Sequence, residues 1–151
     1  MTHPEPNRVI AIGDVHGCGV AFRRLIQAVD PGPDDLLILL GDLIDRGPDA
    51  PGVIELAIDL QSRTNAFAIQ GNHEQMMLES RDSEDATGMW FMSGGLAVVE
   101  SYQPADHGPD QPRVPRLSDD DDGEGSTVAL PWADWVPVSH WAFFESMREF
   151  V

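Results

Sequence analysis

Leu36-Leu37-Ile38-Leu39-Leu40-Gly41-Asp42-Leu43-Ile44-Asp45-Arg46-Gly47 carries the reading of the fold. Five aliphatic residues in a row, stopped by a glycine and an aspartate, make a short strand with apolar side chains on both faces. Arg8-Val9-Ile10-Ala11-Ile12 is a second such run, stopped by Gly13-Asp14, and Ala66-Phe67-Ala68-Ile69-Gln70 is a third, stopped by Gly71-Asn72. The segments between them have helical spacing: Val20, Leu25, Ile26 and Val29 in the first, Val53, Ile54, Leu56, Ala57 and Leu60 in the second. Pro31-Gly32-Pro33 closes the first helix, and Pro48 to Gly52 opens the second. Strand, polar loop and helix in repetition predict an α/β fold with a parallel-rich sheet, covered by helices on both faces.

The second half of the sequence is less regular. Residues 81–88 read as a polar, acidic connector, and 94–102 as a helix offering Leu96, Val99 and Tyr102 to the core. Residues 103–130 hold four prolines and the run Asp119-Asp120-Asp121-Asp122, which reads as a long acidic loop. A last helix is expected over 138–150, burying Trp141, Phe144 and Met147. The whole is a single domain: a motif-bearing core at 8–102, the loop at 103–130 and a C-terminal helical segment at 131–151.

Of the 151 residues, 26 are acidic and nine basic, all nine of them arginine, for a formal net charge of −17. Such a field repels phosphate backbones and anionic lipid, so neither nucleic acid nor a membrane surface is expected as a partner. With no lysine, Schiff-base chemistry and a phosphate-binding P-loop lysine are excluded. The single cysteine, Cys18, excludes an intramolecular disulfide and a zinc knuckle built from several thiolates. Met1 to Asn7 lacks the apolar centre of a secretory signal, and the longest apolar run is too short to span a bilayer. A cytoplasmic protein is the expectation.

In a parallel sheet, ligands bind beyond the carboxyl ends of the strands. Here each strand end carries a possible metal ligand: Gly13-Asp14-Val15-His16-Gly17, Gly41-Asp42-Leu43-Ile44-Asp45-Arg46-Gly47, and Gly71-Asn72-His73-Glu74. Taken singly, each has a plain structural reading. Asp14 and Asp42 would serve as helix N-caps, His16 as a turn residue, and Gly-Asn-His-Glu as the acidic first turn of a helix. Three such loops on one rim, each following a strand, are hard to explain by capping. Carboxylates, imidazole and an amide oxygen without thiolate suit Mn, Fe or catalytic Zn.

The three loops, reading GDVHG, GDLIDRG and GNHE, resemble the signatures of the calcineurin-like metallophosphoesterases of the phosphoprotein phosphatase group. Weaker similarity runs through Trp90-Phe91-Met92-Ser93-Gly94-Gly95 and Ser101-Tyr102, and is strongest to the bacterial branch of protein serine/threonine phosphatases and diadenosine-tetraphosphate hydrolases. The resemblance implies two divalent metal ions. Asp14 and His16 would bind the first, Asp42 would bridge both, and Asn72 would bind the second. It also implies His73 as the general acid, Asp45 as the residue orienting its imidazole, and Arg46 as the clamp on the phosphoryl oxygens.

The resemblance further implies two later histidines for the second metal, whereas only His107 and His140 follow His73. Neither sits in the expected strand context, so both read as structural or surface residues. The first βαβαβ half of the family's sheet is therefore expected to be present and the second half missing. Metal binding is expected to be tight at the first site and weak at the second, and self-association through an exposed sheet edge becomes a hazard. Substrates in view are a phosphorylated protein or a small phosphoester. Serine/threonine phosphatase activity is the first reading, dinucleoside polyphosphate hydrolysis the second, and a metal- or phosphate-binding module without turnover the third. Two other patterns fail. Cys18-x5-Arg24 lacks the glycine-rich loop of a thiol phosphatase, and the segment from Ser118 lacks the first and last ligands of a calcium loop.

Overall fold

The computed structural model describes residues 5–105 and 132–149. Three strands, β1 (Val9–Ile12), β2 (Leu36–Leu39) and β3 (Asn65–Ala68), form a parallel sheet in the order β1-β2-β3. The register aligns Ile12 with Leu39 and Leu39 with Ala68, so all three strands end on one rim. The crossovers are α1 (Gly19–Val29) and α2 (Ala50–Arg63). With neighbouring strands joined in sequence by right-handed connections, both helices lie on the same face of the sheet. Ile12, Leu37, Leu39 and Ala68 pack there against Phe22 and Ile26 of α1 and Val53, Ile54, Ala57 and Leu60 of α2.

The chain leaves β3 directly into α3 (Asn72–Ser80), followed by α4 (Glu84–Trp90), a kinked helical turn at Phe91–Gly95, and α5 (Leu96–Tyr102). A 3-10 turn at Trp132–Trp135 precedes α6 (Val138–Ser146). An aromatic cluster ties these pieces together: Trp90 packs on Trp132 at 4.8 Å between ring centroids, and Trp132 on Trp141 at 5.9 Å. Among the described residues no helix is long and apolar enough to cross a membrane.

Several expectations need correction. The polar stretch after Arg81 is helical from Glu84, because the Ser83 hydroxyl accepts from the Ala86 N–H and two acidic residues complement the helix dipole. The last helix stops at Ser146 rather than 150, since Arg148 joins the sheet. Its N–H donates to Ala68 O and its carbonyl accepts from Gln70 N, a parallel bridge beside Ile69. Val20 and Leu25 are exposed at 67% and 43%, so α1 turns Gly19, Phe22 and Ile26 inward instead. Among the described residues, the sheet is closely covered on its helical face alone. On the other, Val9 is 63% exposed, and Phe67 is half-buried under the Arg148 guanidinium, 3.9 Å from the ring centroid. His140 is a buried core residue, hydrogen-bonded through Nδ1 to the Tyr102 hydroxyl at 2.7 Å. Burial pushes its imidazole pKa down, favouring the neutral ring. His107 and Asp119 to Asp122 lie outside the described residues.

Candidate metal centre

The three strand-end loops are bound into one surface, and the bonds can be followed in order. The first loop is zipped to the second by backbone: His16 N donates to Asp42 O, Gly17 N to Leu43 O, and Asp49 N to Gly17 O, at 2.8–3.0 Å. The two backbones touch so closely that a Cβ on Gly47 would lie 2.2 Å from the His16 carbonyl oxygen, which only glycine avoids. The second loop is tied to the third by one side chain. Glu74, fully buried, accepts from Asp42 N and Gly71 N on Oε2 and from Leu43 N on Oε1, at 2.7–2.9 Å. Burial raises the Glu74 pKa, while these N–H groups pull it back toward the anion.

Backbone conformation marks the same place. Among the described residues, six non-glycine residues have positive φ, and five of them, Asp14, His16, Asp42, Asp45 and Arg46, belong to the candidate site. A left-handed conformation costs a side-chain-bearing residue about 1–2 kcal/mol. Such strain persists only where surrounding bonds over-determine it, and it concentrates at functional sites. The backbone zipper and the Glu74 latch supply that constraint.

One atom each from His16, Asp42 and His73 lies within 4.8 Å of the others. Hydrogen bonding separates the two histidines. His16 Nδ1 is committed to the Ile44 carbonyl at 2.9 Å, which fixes that nitrogen as the donor and leaves Nε2 with its lone pair for an ion. On His73, Nδ1 is bonded to Asp45 Oδ2 at 2.6 Å, and Nε2 accepts from the Arg46 guanidinium at 3.3 Å. Both ring nitrogens are engaged, which suits a proton-handling group better than a ligand. Asp45 is fully buried, and burial pushes its carboxyl up, opposed by hydrogen bonds from His73 and from Trp90 Nε1. Asp42 is half-buried, and its Oδ1 accepts from the His73 backbone N–H.

Of the seven residues singled out from sequence, His16, Asp42 and His73 thus meet closely, with Asp45 and Arg46 bonded to His73. Asp14 is exposed, and its carboxylate stands outside the close group. Asn72 is exposed at the first position of α3. Imidazole and carboxylate donors held on a strained, cross-tied rim fit a divalent transition-metal ion. From the sequence Glu74 reads only as the acid of a helix's first turn, although a glutamate three residues after Gly71 is also the spacing of a helix capping box. Trp90 stands out in the sequence only through the family resemblance.

Residues 7–146 match the model of the family described as calcineurin-like phosphoesterase. Serine/threonine-protein phosphatase 1 of Salmonella typhimurium is 42% identical over 88 residues, which are 58% of this chain and 38% of that protein. The symmetrical bis(5'-nucleosyl)-tetraphosphatase of Burkholderia pseudomallei is 36% identical over 78 residues, 52% of this chain and 27% of its own. A crystal structure of a protein described as a diadenosine tetraphosphatase aligns with a TM-score of 0.45 at 32% identity, covering 54% of this chain and 36% of that one. The chain therefore spans well under half the length of these curated relatives.

Proposed function

The chain belongs to the calcineurin-like phosphoesterase family, and on that premise we propose that it is a metal-dependent phosphomonoester hydrolase acting on phosphoserine or phosphothreonine in proteins. The observation that carries this reading is the hydrogen-bonded series Asp45–His73–Arg46 beside His16 and Asp42. A module that only binds metal or phosphate has no need of an imidazole oriented by a buried carboxylate.

Asp14, His16, Asp42 and Asn72 are the proposed metal ligands. When bound, divalent ions supply charge neutralisation at the phosphoryl oxygens and make a water nucleophilic near neutral pH. The rest of the chemistry belongs to the chain. Arg46, with a planar and permanently charged fork, grips the phosphoryl oxygens. In doing so its N–H groups leave His73 Nε2, which is then free to hold a proton. Asp45 keeps the imidazole in the orientation that aims Nε2 outward and stabilises its cationic form. His73 delivers that proton to the departing oxygen, so the serine or threonine leaves as an alcohol.

A groove of about 260 Å³ lined by Arg46, Pro48, Ala97, Glu100 and Ser101 adjoins the clamp. The carboxylate of Glu100 on its wall is unfavourable to a further string of phosphates and tolerable to a peptide, which supports a protein substrate over a dinucleoside polyphosphate. Manganese is the proposed first metal to supply. The test is hydrolysis by the 151-residue chain with Mn²⁺ of phosphoserine and phosphothreonine peptides against diadenosine tetraphosphate. Peptide turnover at least tenfold higher in kcat/KM supports the proposal. Preference for the dinucleotide would transfer the chain to the second reading. No turnover of either by folded, metal-loaded chain would leave a binding module.

A further inference from the structure

Trp90 lies wholly within the core, yet its indole nitrogen is aimed at the site. Nε1–H is 3.0 Å from both Oδ1 and Oδ2 of Asp45, on a carboxylate whose other hydrogen bond comes from His73. We infer that Trp90 is the positioning residue of the Asp45–His73 pair, and that the kinked turn after it serves to put it there; this rests on the reading of His73 as the general acid. A carboxylate with a single partner can swing about its Cα–Cβ and Cβ–Cγ bonds. One held at both oxygens by a rigid, packed indole cannot, and the imidazole it orients inherits that fixity.

The local backbone is built around this placement. Glycine at 95 leaves room for the indole: a Cβ on Gly95 would come within 2.4 Å of the Trp90 ring. The helix kinks at Gly94, whose φ is +115°, a value glycine alone adopts readily. That kink frees the Gly94 carbonyl to accept from the backbone N–H of Arg46 at 3.1 Å. The segment thus holds both neighbours of the His73 ring, Asp45 through the indole and Arg46 through the carbonyl. Trp132 and Phe91 also pack on the indole, at 4.8 and 5.6 Å between ring centroids.

The test replaces Trp90 by Phe, which keeps an aromatic ring and removes the N–H, and by 3-benzothienylalanine, which keeps the bicyclic shape and puts sulfur in place of N–H. Trp132→Phe, an aromatic change in the same cluster with no contact to Asp45, is the control. The first readout needs no metal and no substrate: ¹⁵N and ¹H NMR of the His73 ring in the apo chain. Wild type and Trp132→Phe should show a slowly exchanging Nδ1–H, and both Trp90 replacements an Nδ1–H exchanging at least about tenfold faster, with ¹⁵N shifts drawn toward a tautomer mixture. The second readout is leaving-group dependence with Mn²⁺. Loss of the N–H should lower kcat on phenyl phosphate by about 10–100-fold, the usual effect of losing an orienting partner. On 2,4-dinitrophenyl phosphate, whose leaving group needs no proton, the loss should stay within about threefold. His73 ring signals unchanged by both replacements would overturn the inference, as would equal losses on the two esters. A wild-type chain that hydrolyses neither ester would refute the proposed activity, while the ring signals would still decide the role of Trp90.

Discussion

His73→Asn is expected to lower kcat on phenyl phosphate or a phosphoserine peptide by about 10²–10⁴-fold, the range over which a positioned general acid contributes. The effect should collapse to within about tenfold on 2,4-dinitrophenyl phosphate, because a phenolate of low basicity departs without a proton. The reason lies in how the ring is held. Nδ1 is bonded to a buried carboxylate at 2.6 Å and Nε2 to an arginine at 3.3 Å, so neither nitrogen is spare and only Nε2 faces a group that substrate can draw away. Steady-state kinetics across a series of aryl phosphates measures this directly. A steeper dependence of rate on leaving-group basicity in the variant than in wild type is the expected signature. Equal losses on every ester would mean that His73 serves as a ligand or a packing group.

The second large effect belongs to Glu74. Glu74→Gln is expected to lower the stability of the chain by about 2–5 kcal/mol, read from the midpoint of urea unfolding at constant m-value. The side-chain amide would set its own donors against backbone N–H groups now accepted by the carboxylate, two on Oε2 and the closest on Oε1 at 2.7 Å. Orphaned buried donors lose their full desolvation free energy, about 1–3 kcal/mol each. The loss should extend to metal affinity, by about 10–100-fold, since the latch holds Asp42 and the start of α3 in register. Unchanged stability in Glu74→Gln would show that the loops are held by their backbone bonds alone.

How much of this was legible in the sequence depends on the scale of the interactions. β1 and β2 follow from runs of aliphatic residues, and the rim from the glycines that end them, because both are local signals. The proximity of His16, Asp42 and His73 follows from the three strands being parallel, which the alternation of strand and helix already implies. The misses are long-range. Glu84 to Trp90 is helical although its composition is that of a connector, since the Ser83 cap and contacts with α3 outweigh polarity. The last helix is cut short at Ser146 because Arg148 gains sheet bonds to β3, a pairing between residues some 80 positions apart. Glu74 and Trp90 act on partners 30 to 45 residues away through hydrogen bonds that no periodicity announces.

The proposal places a divalent ion on His16 and Asp42 and leaves the proton to His73. Calorimetric titration of Mn²⁺ into wild type, Asp42→Asn and His73→Asn tests it most directly. One tight site per chain is expected in wild type, its loss in Asp42→Asn, and an affinity within about threefold of wild type in His73→Asn. Two equally tight sites on the wild-type monomer, or equal weakening by both substitutions, would contradict it.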